Sequence, residues 1–155
     1  DMNAIFKEVV GLLHSDAITR NIAVRMDLYA HLPPIQGDRV QLQQVALNLL
    51  VNAFEAMDEC PKGERQVRIN TRLKGSHVLA SVTDCGSGIP AGDEKTIFDP
   101  YYTSKPKGLG LGLSLCSTII KRHQGRIWAK NNPEGGATFS ISLPLPSETR
   151  ERSQD

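Results

Sequence analysis

Apolar and polar positions along the chain repeat with two different periods. A helical period covers residues 3–16, with Asn3 as the candidate cap, residues 38–58, with Asp38 as the cap, and residues 111–123. A period of two, typical of half-buried strands, covers residues 21–30, 66–73, 76–84, 125–130 and 137–144. Lys74 and Gly75 join one predicted hairpin, and "NNPEGG" joins another. Residues 86–110, rich in Gly, Pro and charge, are predicted to be mostly loop.

This order of elements predicts an α+β fold, a two-layer sandwich with helices on one face of a mixed sheet. The 155 residues fit one domain, which we assign to residues 1–146, followed by a polar tail at 147–155 that is predicted to be disordered. The net charge of +1 does not suggest a nucleic-acid or membrane surface. No apolar run approaches the roughly 20 residues that span a bilayer, so a cytoplasmic location is expected.

The three cysteines are far apart and lack C-x-x-C spacing. This arrangement argues against a disulfide framework and against a zinc site, and it agrees with a reducing compartment.

Two asparagines in the long helix are the first chemical signal. Asn48 and Asn52 lie one turn apart and therefore point the same way, beside an apolar stripe. Asparagine is a poor helix former, so its use twice on one face invites a functional reason. An amide oxygen is a suitable ligand for Mg²⁺, which also keeps waters and substrate phosphates. A solvated helix face is the alternative interpretation.

The segment "TDCGSGIP" is the second signal. Asp84 ends an alternating strand, and Gly86 and Gly88 allow the backbone to turn sharply and approach a flat ligand. A carboxylate at a strand end can accept a hydrogen bond from the exocyclic amine of adenine. The same residues are also common in ordinary turns, so this segment alone leaves both interpretations open.

The segment "KPKGLGLGLSLC" is the third signal. Gly108, Gly110 and Gly112 expose backbone N–H groups at the start of a helix, where the unpaired amides and the helix dipole favour phosphate. The spacing of these glycines differs from the G-x-x-x-x-G-K-[ST] and G-x-G-x-x-G patterns. A flexible hinge is the alternative, and it is compatible with phosphate binding.

Taken in order, these three motifs with "IFDPYYTSK" resemble the catalytic ATP-binding domain of sensor histidine kinases, a family that shares its fold with DNA gyrase B, Hsp90 and MutL. The resemblance spans essentially the whole chain, and "NAFEAM" places it nearest the oxygen- and nitrogen-sensing branch. It implies the Bergerat-type sandwich, ATP and Mg²⁺ as cofactors, and a mobile lid over the nucleotide. It also implies transfer of the γ-phosphate to a histidine on a helical dimerisation domain, and a response regulator receiver domain as a further partner.

The resemblance also implies roles for individual residues. Asn52 corresponds to the Mg²⁺ ligand, Asp84 to the residue that reads adenine, Ile89 to an apolar wall and Thr138 to a threonine near adenine. The remaining nucleotide-binding candidates are Asn48, Gly86, Gly88, Tyr102, Lys105, Gly108, Gly110, Leu111, Gly112 and Leu113, and the F box at the lid contains Phe98 and Tyr101.

The chain departs from the family pattern at two positions. Leu109 replaces a common threonine, and Glu55 replaces a lysine that many relatives carry. Because a glutamate cannot stabilise phosphate, Lys105, beside Lys107, is the expected source of positive charge. Ordinary solvated loop charge is the alternative for both lysines.

A general base is missing from the expected place. Related hydrolytic ATPases have a glutamate one turn before the metal-binding asparagine, where this chain has Asn48, which takes no proton at neutral pH. None of the histidines at positions 14, 31, 77 and 123 stands in a phosphoacceptor motif, and His123 is expected to bond carbonyl groups at a helix end. The sequence therefore favours a kinase domain. A hydrolytic ATPase, a nucleotide-sensing module and an anti-sigma-type serine kinase remain as alternatives.

Overall fold

The computed structural model describes residues 1–58, 60–100 and 112–146. Its helices are α1 (Met2–Leu12), α2 (His14–Thr19), α3 (Arg39–Ala56) and α4 (Gly112–Arg122). Its strands are β1 (Ala23–Asp27), β2 (Gln66–Lys74), β3 (His77–Thr83), β4 (Arg126–Asn131) and β5 (Ala137–Pro144). The tail at 147–155 lies outside the described residues.

The five strands form one mixed sheet in the order β1-β2-β3-β5-β4. The edge strand β1 runs parallel to β2, and every other pair is antiparallel. Alternate residues of β2, β3 and β5 are buried, so one face of the sheet packs against the helices. The predicted α+β sandwich with helices on one face is therefore confirmed.

The core lies between this face and helices α1, α3 and α4. Its largest fully buried side chains include Phe6 of α1, Phe54 of α3 and Ile120 of α4, which belong to one buried cluster with Ile69 and Ile141 of the sheet. The stripe predicted for the long helix is buried as expected. Asp38 caps that helix, because its carboxylate accepts the Gln41 N–H at 3.1 Å.

The N-terminal prediction is wrong in two respects. The expected single helix is divided at Leu13 into α1 and α2, and Asp1, not Asn3, is the N-cap. Asn3 is buried instead, where its amide donates to the Tyr29 carbonyl at 2.8 Å and accepts from the Thr71 hydroxyl at 2.7 Å. The Tyr29 N–H donates to the same hydroxyl. Side chains thus satisfy the Tyr29 backbone, and β1 ends earlier than its apolar alternation predicts.

His123 joins the ends of two helices that frame the core. Its Nε2 accepts the Asp38 N–H at 3.0 Å, and its Nδ1 lies 2.8 Å from the Ile119 carbonyl oxygen. Because Nε2 accepts, Nδ1 carries the proton and donates. The predicted contact with helix-end carbonyl groups is therefore confirmed, and the imidazole also fixes the loop that precedes α3.

Candidate functional site

A pocket opens between α3, the loop after β3, the first turn of α4 and the start of β5. It brings together parts of the chain that are far apart in sequence, and it contains residues from all three motifs. Its lining residues are Asn52, Ala56, Asp84, Ser87, Gly88, Ile89, Pro90, Ile97, Leu113, Ala137 and Phe139.

Asp84 supplies the buried carboxylate of this pocket. Its side chain is 3% exposed, and its Oδ1 accepts the N–H groups of Gly86 at 2.9 Å and Ala137 at 3.2 Å. The Asp84 N–H donates to the Ala137 carbonyl at 3.0 Å, so Ala137, at the start of β5, bonds both the backbone and the side chain of Asp84. Buried charge requires such hydrogen bonds. The carboxylate is thus fixed before any ligand arrives.

The two predicted glycines place the loop after Asp84 against its neighbours. A Cβ at Gly86 would overlap the carbonyl of Ala56, so the loop packs directly on the end of α3. A Cβ at Gly88 would lie 2.7 Å from the Asn131 amide oxygen. The same amide forms a clamp on the backbone of Ile89, the residue after Gly88. Asn131 Oδ1 accepts the Ile89 N–H at 2.7 Å, and its Nδ2 donates to the Ile89 carbonyl at 2.9 Å.

The two asparagines of α3 have different surroundings. Asn52 lines the pocket, whereas Asn48 does not. The Nδ2 of Asn48 is 3.5 Å from the Gly112 carbonyl oxygen, and its side chain also bonds the Cys116 thiol. Burial raises the pKa of Cys116 to about 11, so this thiol is neutral at physiological pH. Asn48 therefore faces the first turn of α4.

An apolar wall forms part of the pocket. Phe98 and Phe139 meet edge to face, with ring centroids 6.3 Å apart and planes at 81°. Phe139 lines the pocket together with Ile97, in the 3₁₀ turn Thr96–Phe98, and Leu113 of α4, and Phe98 packs behind Phe139. Such a surface suits the face of a planar ring, while a polar edge of the ring would meet Asp84.

Thr138 is not where the resemblance implied. Side chains alternate along β5, and Ala137 and Phe139 face the pocket, so Thr138 points to the other face of the sheet. Its hydroxyl is 3.0 Å from the Thr83 hydroxyl and donates to the Asn132 amide oxygen at 2.7 Å. The expected contact of Thr138 with adenine is therefore corrected, and Ala137 occupies the position that faces the pocket.

Several candidates lie outside the described residues. Leu113 lines the pocket, and Gly112 begins α4 beside it. The roles expected of the other candidates in this stretch stay predictions, and these candidates are Tyr101, Tyr102, Lys105, Lys107, Gly108, Leu109, Gly110 and Leu111.

Sequence reasoning missed three residues that shape the site. Asn131 was interpreted only as part of a turn, and its clamp on Ile89 bridges 42 positions of sequence. Gly136, with φ of +79°, packs its Cα against the Asp84 carbonyl. Ala137 donates to the Asp84 carboxylate. The paired glycines of "EGGATF" were the available signal, since consecutive glycines often mark close backbone approach.

Few charged side chains line the described part of the pocket. Among its described lining residues there is no Lys or Arg. Within the described ranges, no cluster of three or more His, Cys, Asp or Glu residues could hold a metal ion. No described helix has the length and hydropathy of a membrane span.

Comparison with known proteins identifies the class of this fold and site. The profile of the histidine kinase-, DNA gyrase B- and HSP90-like ATPase family matches residues 37–147, and the chain belongs to that family. The resemblance drawn from the motifs is thereby confirmed.

Two curated relatives are named as kinases. The chain is 39% identical over 149 residues to sporulation kinase C of Bacillus subtilis (strain 168). The matched region covers 96% of this chain and 34% of that protein. The chain is 35% identical over 147 residues to sensor histidine kinase TmoS of Ectopseudomonas mendocina, with 94% of this chain and 15% of that protein covered. The chain therefore spans about a third or less of these relatives.

The fold has a close match in the catalytic domain of the histidine kinase ThkA. The TM-score is 0.83 at 32% identity, with 94% of this chain and 96% of the ThkA chain covered. The structure of ThkA in complex with the response regulator protein TrrA gives a TM-score of 0.81 at 29% identity, with 97% and 42% covered. The fold is that of a histidine kinase catalytic domain.

Proposed function

We propose that this domain binds Mg-ATP in the pocket at Asp84 and presents the γ-phosphate to a histidine on a separate helical dimerisation domain. The observation that carries the proposal is the buried Asp84 carboxylate, held by two backbone N–H groups at the edge of an apolar slot. A fixed acceptor beside an apolar wall matches the amine edge and the flat face of adenine. Guanine has a carbonyl oxygen at that edge, which Asp84 would repel.

Binding and orientation would be the main work of this chain. The Asn131 clamp and the packing of Gly86 on α3 support a preformed base site, which lowers the cost of ordering the ligand. In phosphoryl transfer, positioning and charge stabilisation supply most of the rate. We assign Lys105 and the backbone N–H groups of Gly108, Gly110 and Gly112 to the phosphates, with Tyr102 and Leu111 at the lid.

The described residues fit a magnesium ion that arrives with the nucleotide. Asn52 offers one amide oxygen from α3 into the pocket, and Mg²⁺ commonly takes one or two protein oxygens together with phosphates and waters. The lack of a carboxylate cluster among these residues agrees with such a shared site. When bound, Mg²⁺ would neutralise charge on the phosphate oxygens.

The identity of residue 48 supports transfer over hydrolysis. Asn48 cannot take a proton from water, and its amide bonds α4. An imidazole on the partner domain is itself a competent nucleophile, so no base is needed in this chain. The complex of ThkA with TrrA supports a response regulator receiver domain as the next partner in two-component signalling. We also propose that this domain acts in the cytoplasm without direct membrane contact.

The experiment that tests this function is a phosphoryl transfer assay with radiolabelled ATP. The isolated chain is expected to bind Mg-ATP, to hydrolyse it very slowly and to remain unlabelled, because it lacks both a base and an acceptor histidine. Addition of the helical dimerisation domain of the parent kinase should yield a product that is labile in acid and stable in alkali, as phosphohistidine is. Brisk steady-state hydrolysis by the isolated chain would instead favour a hydrolytic ATPase.

Removal of the proposed metal ligand is expected to separate metal from nucleotide binding. Asn52→Ala should lower the affinity for Mg-ATP about tenfold and change metal-free ATP affinity less than about twofold, since the amide acts through the ion. Calorimetry with and without Mg²⁺ measures both values. The exposed Gln44→Ala on the same helix is the control and should change neither. Equal losses with and without metal in Asn52→Ala would contradict a metal role.

A further inference from the structure

The sheet face opposite the helices carries an uneven share of the charge. No described helix covers it, and its strand residues include 6 of the 18 Lys and Arg residues but only Asp27 of the 17 Asp and Glu residues. Glu64 and Glu134 lie beside Arg68 in a depression at one end of the face. The rest of the chain is therefore net negative, although the whole chain is +1. The basic residues of this open face are Arg25, Arg68, Arg72, Lys74, Arg126 and Lys130.

Strand register sets four of these cations at the corners of a rectangle. Arg68 and Lys130 end one row of paired residues that crosses β3 and β5, and Arg72 and Arg126 end another. Three strand spacings separate the two ends of each row, about 14 Å, and four residues separate the rows, about 13 Å. All four are exposed, and within the described chain none of them forms an ion pair.

The floor between these corners consists mostly of small side chains. Ser81 and Ser140 occupy its centre, in register with Trp128 at one side. The Arg126 guanidinium lies 5.5 Å from the centroid of the Trp128 ring. Small hydroxyl groups allow a partner backbone to approach closely, while the long basic side chains stand on either side of it.

We propose that this open face is an interaction surface for an acidic α-helix of a partner protein. A helix is about 10–12 Å wide with its side chains, so it fits between two cation pairs about 14 Å apart. Carboxylates on both flanks of that helix would reach the four corners, and the small floor would receive its backbone. Complementary charge of this kind selects a partner and speeds association.

The charge elsewhere on the domain favours a protein helix over a nucleic acid or an anionic membrane. Those surfaces carry long arrays of negative charge, which the net negative remainder of this chain would repel. A helix of a few turns meets only the open face. Asp27 at the margin of the face, and Trp128 as the single aromatic ring among the strand residues that face outward, agree with a compact partner rather than with a row of stacked bases.

Trp128 gives a direct measurement, because it is the only tryptophan of the chain and lies on this face. The probe is a synthetic 18-residue helical peptide of Ala and Glu, with Glu along both flanks of one side, compared with the same peptide carrying Gln at those positions. In titrations of the full chain at low salt, Trp128 fluorescence should report binding of the Glu peptide at least about tenfold tighter than the Gln peptide, weakening as salt is raised. No detectable binding of the Glu peptide would overturn the proposal.

Matched variants separate the rectangle from net charge. The double variant Arg68→Gln with Lys130→Gln should lower the affinity for the Glu peptide at least about tenfold. The control double variant, Lys7→Gln with Lys62→Gln, changes exposed residues outside the face and should lower this affinity less than about twofold. Equal losses of affinity in both double variants would overturn the proposal, because they would show that the peptide responds to the net charge of the chain and not to this face. If duplex DNA or phosphatidylserine vesicles bound the chain more tightly than the Glu peptide does and displaced it, the proposal would be overturned in favour of those surfaces.

Discussion

Gly136→Ala is expected to abolish nucleotide binding and to lower the free energy of unfolding by more than about 3 kcal/mol. The residue has φ of +79°, which L side chains rarely adopt, and a Cβ there would overlap the backbone of Asp84 and Cys85. Relief of this overlap must separate the start of β5 from the Asp84 loop. The hydrogen bonds that fix the Asp84 carboxylate would then be lost with it.

The neighbouring glycine is a matched control for this substitution. Gly135 also has a positive φ, of +103°, but a Cβ there would meet nothing within 4 Å. Gly135→Ala should therefore show only conformational strain, about 1–2 kcal/mol, and retain ATP binding. Denaturant unfolding and calorimetry with ATP measure both quantities. If the two variants lost stability and affinity equally, close packing at Gly136 would not be the cause.

Asp84→Asn is expected to lower ATP affinity about 10- to 100-fold with little loss of stability. The amide oxygen can still accept from Gly86 and Ala137, but the other oxygen becomes an NH₂ donor. A donor facing the adenine amine leaves a buried polar mismatch of about 1–3 kcal/mol. ATP and GTP should bind the wild-type chain unequally, with ATP tighter, and the variant should reduce that difference.

Calorimetry with both nucleotides, on the wild type and the variant, measures this selectivity. Asp27→Asn makes the same chemical change on the open face of the sheet, far from the pocket, and should leave ATP affinity unaltered. Equal affinity of the wild-type chain for ATP and GTP would remove Asp84 as the group that reads the base. A large loss of stability in Asp84→Asn would instead identify a mainly structural residue.

The elements with long, regular patterns could be predicted from sequence. The stripe of α3, its Asp38 cap and the alternation of β2 and β3 are local properties, and each specifies its own element. The edge strand β1 was predicted too long, because its end is set by Asn3 and Thr71, which are distant in sequence. Side-chain hydrogen bonds to backbone over such distances leave no periodic signal.

The residues of the site also differ in whether the sequence could predict them. Asp84, Gly88 and Asn52 could be predicted because each sits in a motif whose residue types match a chemical task, whereas Ile89 was assigned from the resemblance, and all four line one pocket. Thr138 was assigned from resemblance without its strand phase, and a shift of one residue along β5 turns a side chain to the other face. Asn131 could not be found, because its function depends on where β4 ends relative to the Ile89 loop.

The bridge made by His123 has a chemical consequence for a domain proposed to serve histidine phosphorylation. An imidazole attacks a phosphoryl group through the lone pair of its unprotonated nitrogen. In His123 that lone pair is on Nε2, where it holds the Asp38 N–H, and the proton on Nδ1 is held by the Ile119 carbonyl. Neither ring nitrogen can act as a nucleophile unless the cap region of α3 opens. The ring is therefore masked as a competing acceptor by the contacts that join α3 to α4.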